Sequence, residues 1–193
     1  MMNIFLILAT LASFPGLSGH AAERPALETA TLAAGCFWGV EAYFGKMPGV
    51  VDTKVGYTGG TLKNPTYQDA TTGTSGHAES VEIRFDPKKV SYQEILIHFF
   101  KMHDPTTPNQ QGNDRGTQYR SAIFFHGPQQ KKEAEEVMKR IEASKAWGAK
   151  LATELEPAGV FYPAEEYHQK YLAKNPGGYD NHYERDFKFD VKK

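Results

Sequence analysis

In Ser80–Phe85 (SVEIRF), Val81, Ile83 and Phe85 alternate with Glu82 and Arg84. Side chains of a strand point alternately to opposite faces, so this stretch predicts a strand with one buried side. Asp86-Pro87 closes it. Ser91-Tyr92-Gln93-Glu94 follows, a capping box in which Ser and Glu satisfy each other's orphan backbone N–H groups. It opens a helix with Ile95, Leu96, Phe99 and Phe100 on its apolar side. A sheet face and a helix face offered in sequence require a layered fold of both element types.

The rest of the chain repeats these signals. Glu28 to Ala34 alternates loosely and reads as a strand, and Phe37 to Met47 as a helix closed by Pro48-Gly49. Val50 to Tyr57 reads as a β-branched strand ended by Gly59-Gly60. Thr61 to His77, rich in Gly, Thr, Asn and Pro, reads as loop, and so does His103 to Thr117. Loops that long in a compact domain are usually functional. Tyr119 to Phe125 is a predicted strand. Gly127-Pro128 starts a helix with Ala134, Val137, Met138 and Ile141 on one face. Leu151 to Glu156 gives a last strand and Ala164 to Leu172 a short helix, while residues 175–193 show no pattern. No repeat or linker divides the chain, and strands and helices mix without a strict βαβ rhythm. The expectation is one α+β domain rather than a doubly wound sheet.

The N-terminus is a separate matter. Ile4 to Phe14 is an apolar run of signal-peptide length, too short to span a bilayer, and Pro15-Gly16 breaks it. Gly19-His20-Ala21 places small residues before Ala22, although the n-region has no Lys or Arg. Residues 1–21 therefore read as a signal peptide and 22–193 as the mature domain, exported to the periplasm or secreted, with no membrane span of its own. A misplaced start or a buried N-terminal helix is the alternative. Net charge is −1, which suggests neither nucleic acid nor an anionic membrane as partner.

The chain holds one cysteine, in Gly35-Cys36-Phe37-Trp38-Gly39. It cannot form an internal disulfide, and a lone thiol in an oxidising compartment suggests a reactive group. A strand ending at Ala34 and a helix opening near Phe37 place Cys36 at a helix N-terminus, where the dipole favours an anion and a lowered thiol pKa is expected. The alternative is a small buried hydrophobe. Phe37 and Trp38 lie about 100° apart on a helix, so one can pack while the other walls an apolar slot for a small group such as a methyl. Gly35 and Gly39 would let backbone or substrate approach. Glu79 enters the 80–85 strand and is either an exposed edge charge or an acid whose pKa is raised by apolar surroundings. Tyr67 and Tyr119 are candidate neutral donors or packed surface phenols. Asp114 and Arg115 are a candidate site pair or only a turn. A Cys–His hydrolase using His77 or another histidine is the rival enzyme class, and a methionyl-binding module without catalysis is the non-enzymatic one. His77 and Glu79 lack a third ligand at metal spacing, so no metal is expected.

Taken in order, GCFWGVE, VGYTGG, NPTYQD, GHAESVEI, DRGTQYRSAIF, EEYHQKYL and NPGGY resemble the A-type peptide-methionine sulfoxide reductases, from about Thr31 to Tyr179. The resemblance implies a single-domain two-layer α+β sandwich around a mixed sheet with a ferredoxin-like or αβ-roll core. It implies reduction of methionine S-sulfoxide, free or in oxidised proteins. Cys36 matches the nucleophile, Glu79 the acid, and Tyr67 and Tyr119 the phenols that bond the sulfoxide oxygen. Phe37 and Trp38 match the methyl pocket, and Asp114 an acid that orders the site or positions water. Product methionine leaves Cys36 as a sulfenic acid. Many relatives carry a resolving cysteine just after the Gly-Tyr of NPGGY, but here Asp180 and Asn181 follow Tyr179. No bound cofactor is implied. Resolution then falls to an external thiol, from a thioredoxin-like protein, a glutaredoxin system or a small thiol such as DTT. Nothing in the sequence demands a second copy of the chain, so a monomer is expected.

Overall fold

The structure is a computed structural model that describes residues 26–189. The leader expected over 1–21 lies outside the described residues. The chain runs β1 (Glu28–Ala34), α1 (Phe37–Phe44), β2 (Val50–Thr58), α2 (Tyr67–Thr71), β3 (Ala78–Phe85) and α3 (Tyr92–Met102). A hairpin of β4 (Gln110–Gln111) and β5 (Asp114–Arg115) and a 3₁₀ turn over Thr117–Tyr119 precede β6 (Ser121–Phe125). Then come α4 (Pro128–Ser144), β7 (Glu154–Pro157), β8 (Tyr162–Pro163) and α5 (Tyr171–Lys174).

The main sheet has the order β7-β6-β1-β3-β2-β8. β1 pairs antiparallel with β3 and β6, β2 antiparallel with β3 and β8, and β6 parallel with β7, so the sheet is mixed. The inner four strands, β6-β1-β3-β2, form the split βαβ arrangement of a ferredoxin-like core. This is the α+β layered fold expected from the sequence.

One sheet face carries the core. Leu32, Val55, Tyr57, Val81, Ile83, Phe85 and Ile123 pack under Phe37, Val40 and Phe44 of α1, Ile95, Leu96 and Phe99 of α3, and Ala134, Val137 and Ile141 of α4. The i, i+3, i+7 spacing of Phe37, Val40 and Phe44 makes α1 cling to the sheet along one stripe. Ser91 and Glu94 form the expected capping box, Glu94 N–H donating to Ser91 Oγ and Ser91 N–H to Glu94 Oε2. Pro128 opens α4 as expected.

Several boundaries differ. α1 stops at Phe44, short of Met47, in a run of turn hydrogen bonds from Gly45, Lys46 and Met47. The 61–77 stretch is not all loop, because Thr66 and Asp69 form a second capping box that starts α2. The 103–117 loop contains the β4–β5 hairpin. β6 begins at Ser121, leaving Tyr119 in the 3₁₀ turn. The last strand is displaced to Glu154–Pro157. Most of 164–172 is turn, with Lys170 in the left-handed region (φ 54°) before the single turn of α5.

Candidate active site

β1 delivers the chain to Gly35, whose φ of 92° suits a residue without Cβ. A Cβ there would also lie 2.5 Å from Gln111 Cβ. The turn leaves Cys36 as the N-cap of α1, as the sequence places it. Its residue surface is 8% exposed, at the floor of a cavity of about 190 Å³. The walls are Phe37, Trp38, Tyr67, Glu79, Asp114, Tyr119 and Tyr179. The seven residues matched to site roles by the family resemblance thus meet in one place, and Tyr179 joins them.

Glu79 sits on β3 in phase with Val81 and Ile83, on the core face. β3 lies between β1 and β2, so Glu79 is not an edge charge. It is 2% exposed, and Oε2 accepts the Phe37 backbone N–H at 3.1 Å. Burial pushes its pKa up to about 8; the Phe37 hydrogen bond opposes this and the charge of Asp114 adds to it. At neutral pH the carboxyl keeps its proton and can donate it.

The lowered thiol expected from the helix N-terminus is not found. Burial pushes the Cys36 thiol well above its ordinary range, and the negative charges of Glu79, Asp114 and Asp180 push the same way. The Trp38 backbone N–H opposes them without prevailing. Desolvation outweighs the dipole because a single helix end offsets only part of an anion's lost hydration.

Tyr67 is pushed up to about 12 by burial first and then by the charge of Glu79. Tyr119 is raised in the same way. Both phenols stay protonated donors across physiological pH. Phe37 is 1% exposed and anchors in the core, while half-buried Trp38 walls the cavity. Trp38 stacks on Tyr171 at 3.8 Å between ring centroids and 13° between planes. Its Nε1–H donates to His168 Nδ1 at 3.0 Å.

Sequence reasoning assigned no role to several residues that hold this site. His168 is buried against the rings of Phe37, Trp38 and Tyr67. Glu165 Oε1 accepts the Tyr67 backbone N–H and Oε2 the Tyr57 hydroxyl. Gln169 donates to the carbonyls of Val55 and Ala164 and accepts the Val55 N–H, closing the segment onto β2. The i, i+3, i+4 spacing of Glu165, His168 and Gln169 was the available signal. The tail supplies the rest. Tyr179 O–H donates to Asp114 Oδ1 at 3.1 Å, and the Asn181 amide donates to Asp114 Oδ2 at 3.0 Å and to the Gln111 carbonyl at 2.9 Å.

His77 does not meet Cys36. Its Nδ1 accepts the Gly60 N–H and its Nε2 donates to the Leu62 carbonyl, so both ring nitrogens are occupied in holding the 60–62 loop. His77 is thus not placed to serve as the base of a hydrolase. Arg115 is exposed and reaches Gln110, outside the cavity lining. Among the described residues no group of three or more His, Cys, Asp or Glu could hold a metal ion, and no helix is long and apolar enough to cross a membrane.

The family profile described as "Peptide methionine sulfoxide reductase" matches residues 28–192. The chain is 56% identical over 149 residues to "Peptide methionine sulfoxide reductase MsrA" of Methanothermobacter thermautotrophicus, covering 77% of this chain and 88% of that protein. Among solved structures it is similar to reduced Mxr1 from Saccharomyces cerevisiae, with TM-score 0.78 and 42% identity over 83% of this chain and 93% of that one. It also resembles Mxr1 from the same organism in complex with Trx2, with TM-score 0.57 and 29% identity over 86% of this chain and 97% of that one.

Proposed function

The chain belongs to the peptide methionine sulfoxide reductase family, and from that premise we propose that Cys36 attacks the sulfur of methionine S-sulfoxide while Glu79 protonates its oxygen. The enzyme is an oxidoreductase that reduces methionine sulfoxide to methionine at the expense of thiols. The observation that carries the division of roles is a protonated, buried Glu79 sharing a small cavity with the chain's one thiol.

A sulfoxide oxygen is a poor leaving group while it bears negative charge. Proton donation by a positioned acid lowers that barrier, an effect worth about 10²–10⁴ in rate. Tyr67 and Tyr119 add neutral hydrogen bonds to the same oxygen. Phe37 and Trp38 take the methyl group, and Asp114, tied to Tyr179 and Asn181, orders the wall across from them. In net terms oxygen passes from the substrate to Cys36. The methionine sulfur gains two electrons, the Cys36 sulfur loses two, and the thiol proton replaces the one that Glu79 gives up. The products are methionine and a Cys36 sulfenic acid.

Resolution falls to an external thiol, since no second cysteine exists in the sequence. That thiol condenses with the sulfenic acid and releases the oxygen as water, and a second thiol reduces the mixed disulfide. A thioredoxin-like protein is the reductant we favour, because a relative of the same fold has been captured with Trx2. Oxidised proteins and free methionine sulfoxide are the substrates. We take a monomer as the working form, since the cavity is lined by Cys36, Glu79, Tyr67, Tyr119 and Asp114 of one chain without need of a residue from a second copy. Its apolar run at Ile4–Phe14 and the small residues before Ala22 support export to the periplasm or beyond.

Intact-mass analysis after one turnover without reductant tests the chemistry. The expected result is the protein plus one oxygen on Cys36, with methionine released in equal amount. Unchanged mass with product formed, or no product from wild type under DTT, overturns it.

A further inference from the structure

The tail beyond Tyr179 packs a buried imidazole, with a partly exposed carboxylate behind it, against the turn that presents Cys36. His182 Nε2 lies 2.7 Å from the Ala34 carbonyl oxygen, and Nδ1 lies 2.9 Å from Asp180 Oδ1. A carbonyl oxygen only accepts, so Nε2 donates to it. Asp180 Oδ1 also accepts the His182 backbone N–H at 2.9 Å and so holds the residue from its other side. The His182 side chain is 1% exposed. For Asp180, burial pushes the pKa up, but the hydrogen bonds and charge of His182, with Lys46, hold it below the usual carboxylate range.

Gly39 gives this pair its seat. A Cβ at that position would collide with Asp180 Oδ1 and His182 Nδ1. A Cβ on Gly35 would come within 3.5 Å of His182 Nε2. The second glycine of GCFWG thus admits the tail rather than the substrate. The other groups around the pair are charged on both signs. Lys46, Lys89, Glu94, His98 and Glu184 line the adjoining groove, and His103, its pKa pushed down to about 3 by burial, lies within reach of Arg185.

The geometry points to His182, held by Asp180, as a positioning residue for Cys36: its Nε2–H bond to the Ala34 carbonyl fixes the Ala34–Gly35 turn that presents the sulfur. This deepens the reductase reading and rests on it. Ala34 ends β1 and Cys36 caps α1, so a tether on the Ala34 carbonyl holds the nucleophile from the other side of the Gly35 turn.

Two variants separate the tether from the packing. His182→Gln keeps an amide donor for Ala34, and His182→Leu keeps apolar bulk without a donor. Single-turnover reduction of a methionine sulfoxide peptide is followed with KM, alongside iodoacetamide alkylation of Cys36 at one fixed pH. The expected result for His182→Leu is a turnover rate roughly tenfold lower at unchanged KM and faster alkylation as the turn loosens, with both largely restored in His182→Gln. Wild-type behaviour in His182→Leu, or equal losses in the two variants, overturns the proposal. Unfolding of both variants assigns the contact to the fold alone and overturns it too. If wild type fails to reduce the peptide, the reductase reading falls while the alkylation comparison still decides the role of the tether.

Discussion

Glu79 Oε2 accepts the backbone N–H of Phe37 at 3.1 Å, so the buried acid is tied to the residue directly after Cys36. Any movement of the α1 N-terminus carries donor and nucleophile together. Glu79 is half-deprotonated near pH 8. The first half-reaction should therefore be fast below pH 7 and lose rate as pH rises through about 8. Glu79→Gln should lower the single-turnover rate by about 10²–10⁴ and abolish that alkaline limb. Stopped-flow tryptophan fluorescence or quenched-flow product analysis measures both. An unaltered limb in the variant would assign it to another group.

The same group sets a stability trend. A free Glu loses its proton near 4.5, whereas folded Glu79 keeps it until about 8. A raised folded pKa gives stability that is full below the unfolded value and lost as pH rises through the folded one. At about 1.4 kcal/mol per unit, the loss across this window is on the order of a few kcal/mol. Glu79→Gln should therefore melt higher than wild type at pH 8.5, with the difference shrinking toward pH 4.5. Thermal melts across that range read it directly.

Tyr67 and Tyr119 approach the cavity from different elements, the start of α2 and the 3₁₀ turn before β6. Two donors that share one oxygen can substitute for each other. Tyr67→Phe and Tyr119→Phe should each be mild, and the double variant should lose about 10²–10³ in kcat. Equal activity in the double variant removes the phenols from the chemistry.

The parts of this site readable in sequence were those governed by short-range pattern. Glu79 shares the phase of Val81, Ile83 and Phe85, which already points it inward. Cys36 follows from a strand that ends and a helix that begins around one glycine. The thiol's electrostatics were not readable, because they depend on burial and on carboxylates from β3, β5 and the tail. Short α2 was hidden because Asp69, rather than Glu or Gln, completes its capping box within a Gly- and Thr-rich stretch. The tail was illegible for a different reason. Its contacts are hydrogen bonds from Tyr179, Asn181 and His182 to Asp114, Gln111 and Ala34, and polar tethers of that kind have no periodicity.

Trp38 is oriented by its Nε1–H bond to His168 and by stacking on Tyr171. Among the described residues His168 Nε2 is buried without a partner, so the ring's hold on its surroundings depends on Nδ1. Trp38→Phe keeps an apolar wall but removes the only donor given to that nitrogen, leaving a buried acceptor unsatisfied at a cost of about 1–3 kcal/mol. KM for a methionine sulfoxide peptide should rise with a smaller change in kcat, and the melting temperature should fall. A kcat loss at unchanged KM would place Trp38 in the chemical step instead.

Gly39→Ala sets two effects against each other. In an exposed helix interior, alanine is favoured over glycine by roughly 0.5–1 kcal/mol. At this position the new Cβ meets Asp180 and His182, whose side chains are pinned to Ala34 and to each other. Neither is the free end of a flexible chain, so relief requires the tail to lift from α1. Lifting it also withdraws Tyr179 from the cavity wall and Asn181 from Asp114. The variant should lose thermal stability despite its better helix former. It should also show faster tryptic cleavage at Arg185 and more rapid alkylation of Cys36 as the cavity opens. A variant more stable than wild type, with the tail still protected, would show that α1 can accommodate the methyl group and that Gly39 is not the seat of the pair.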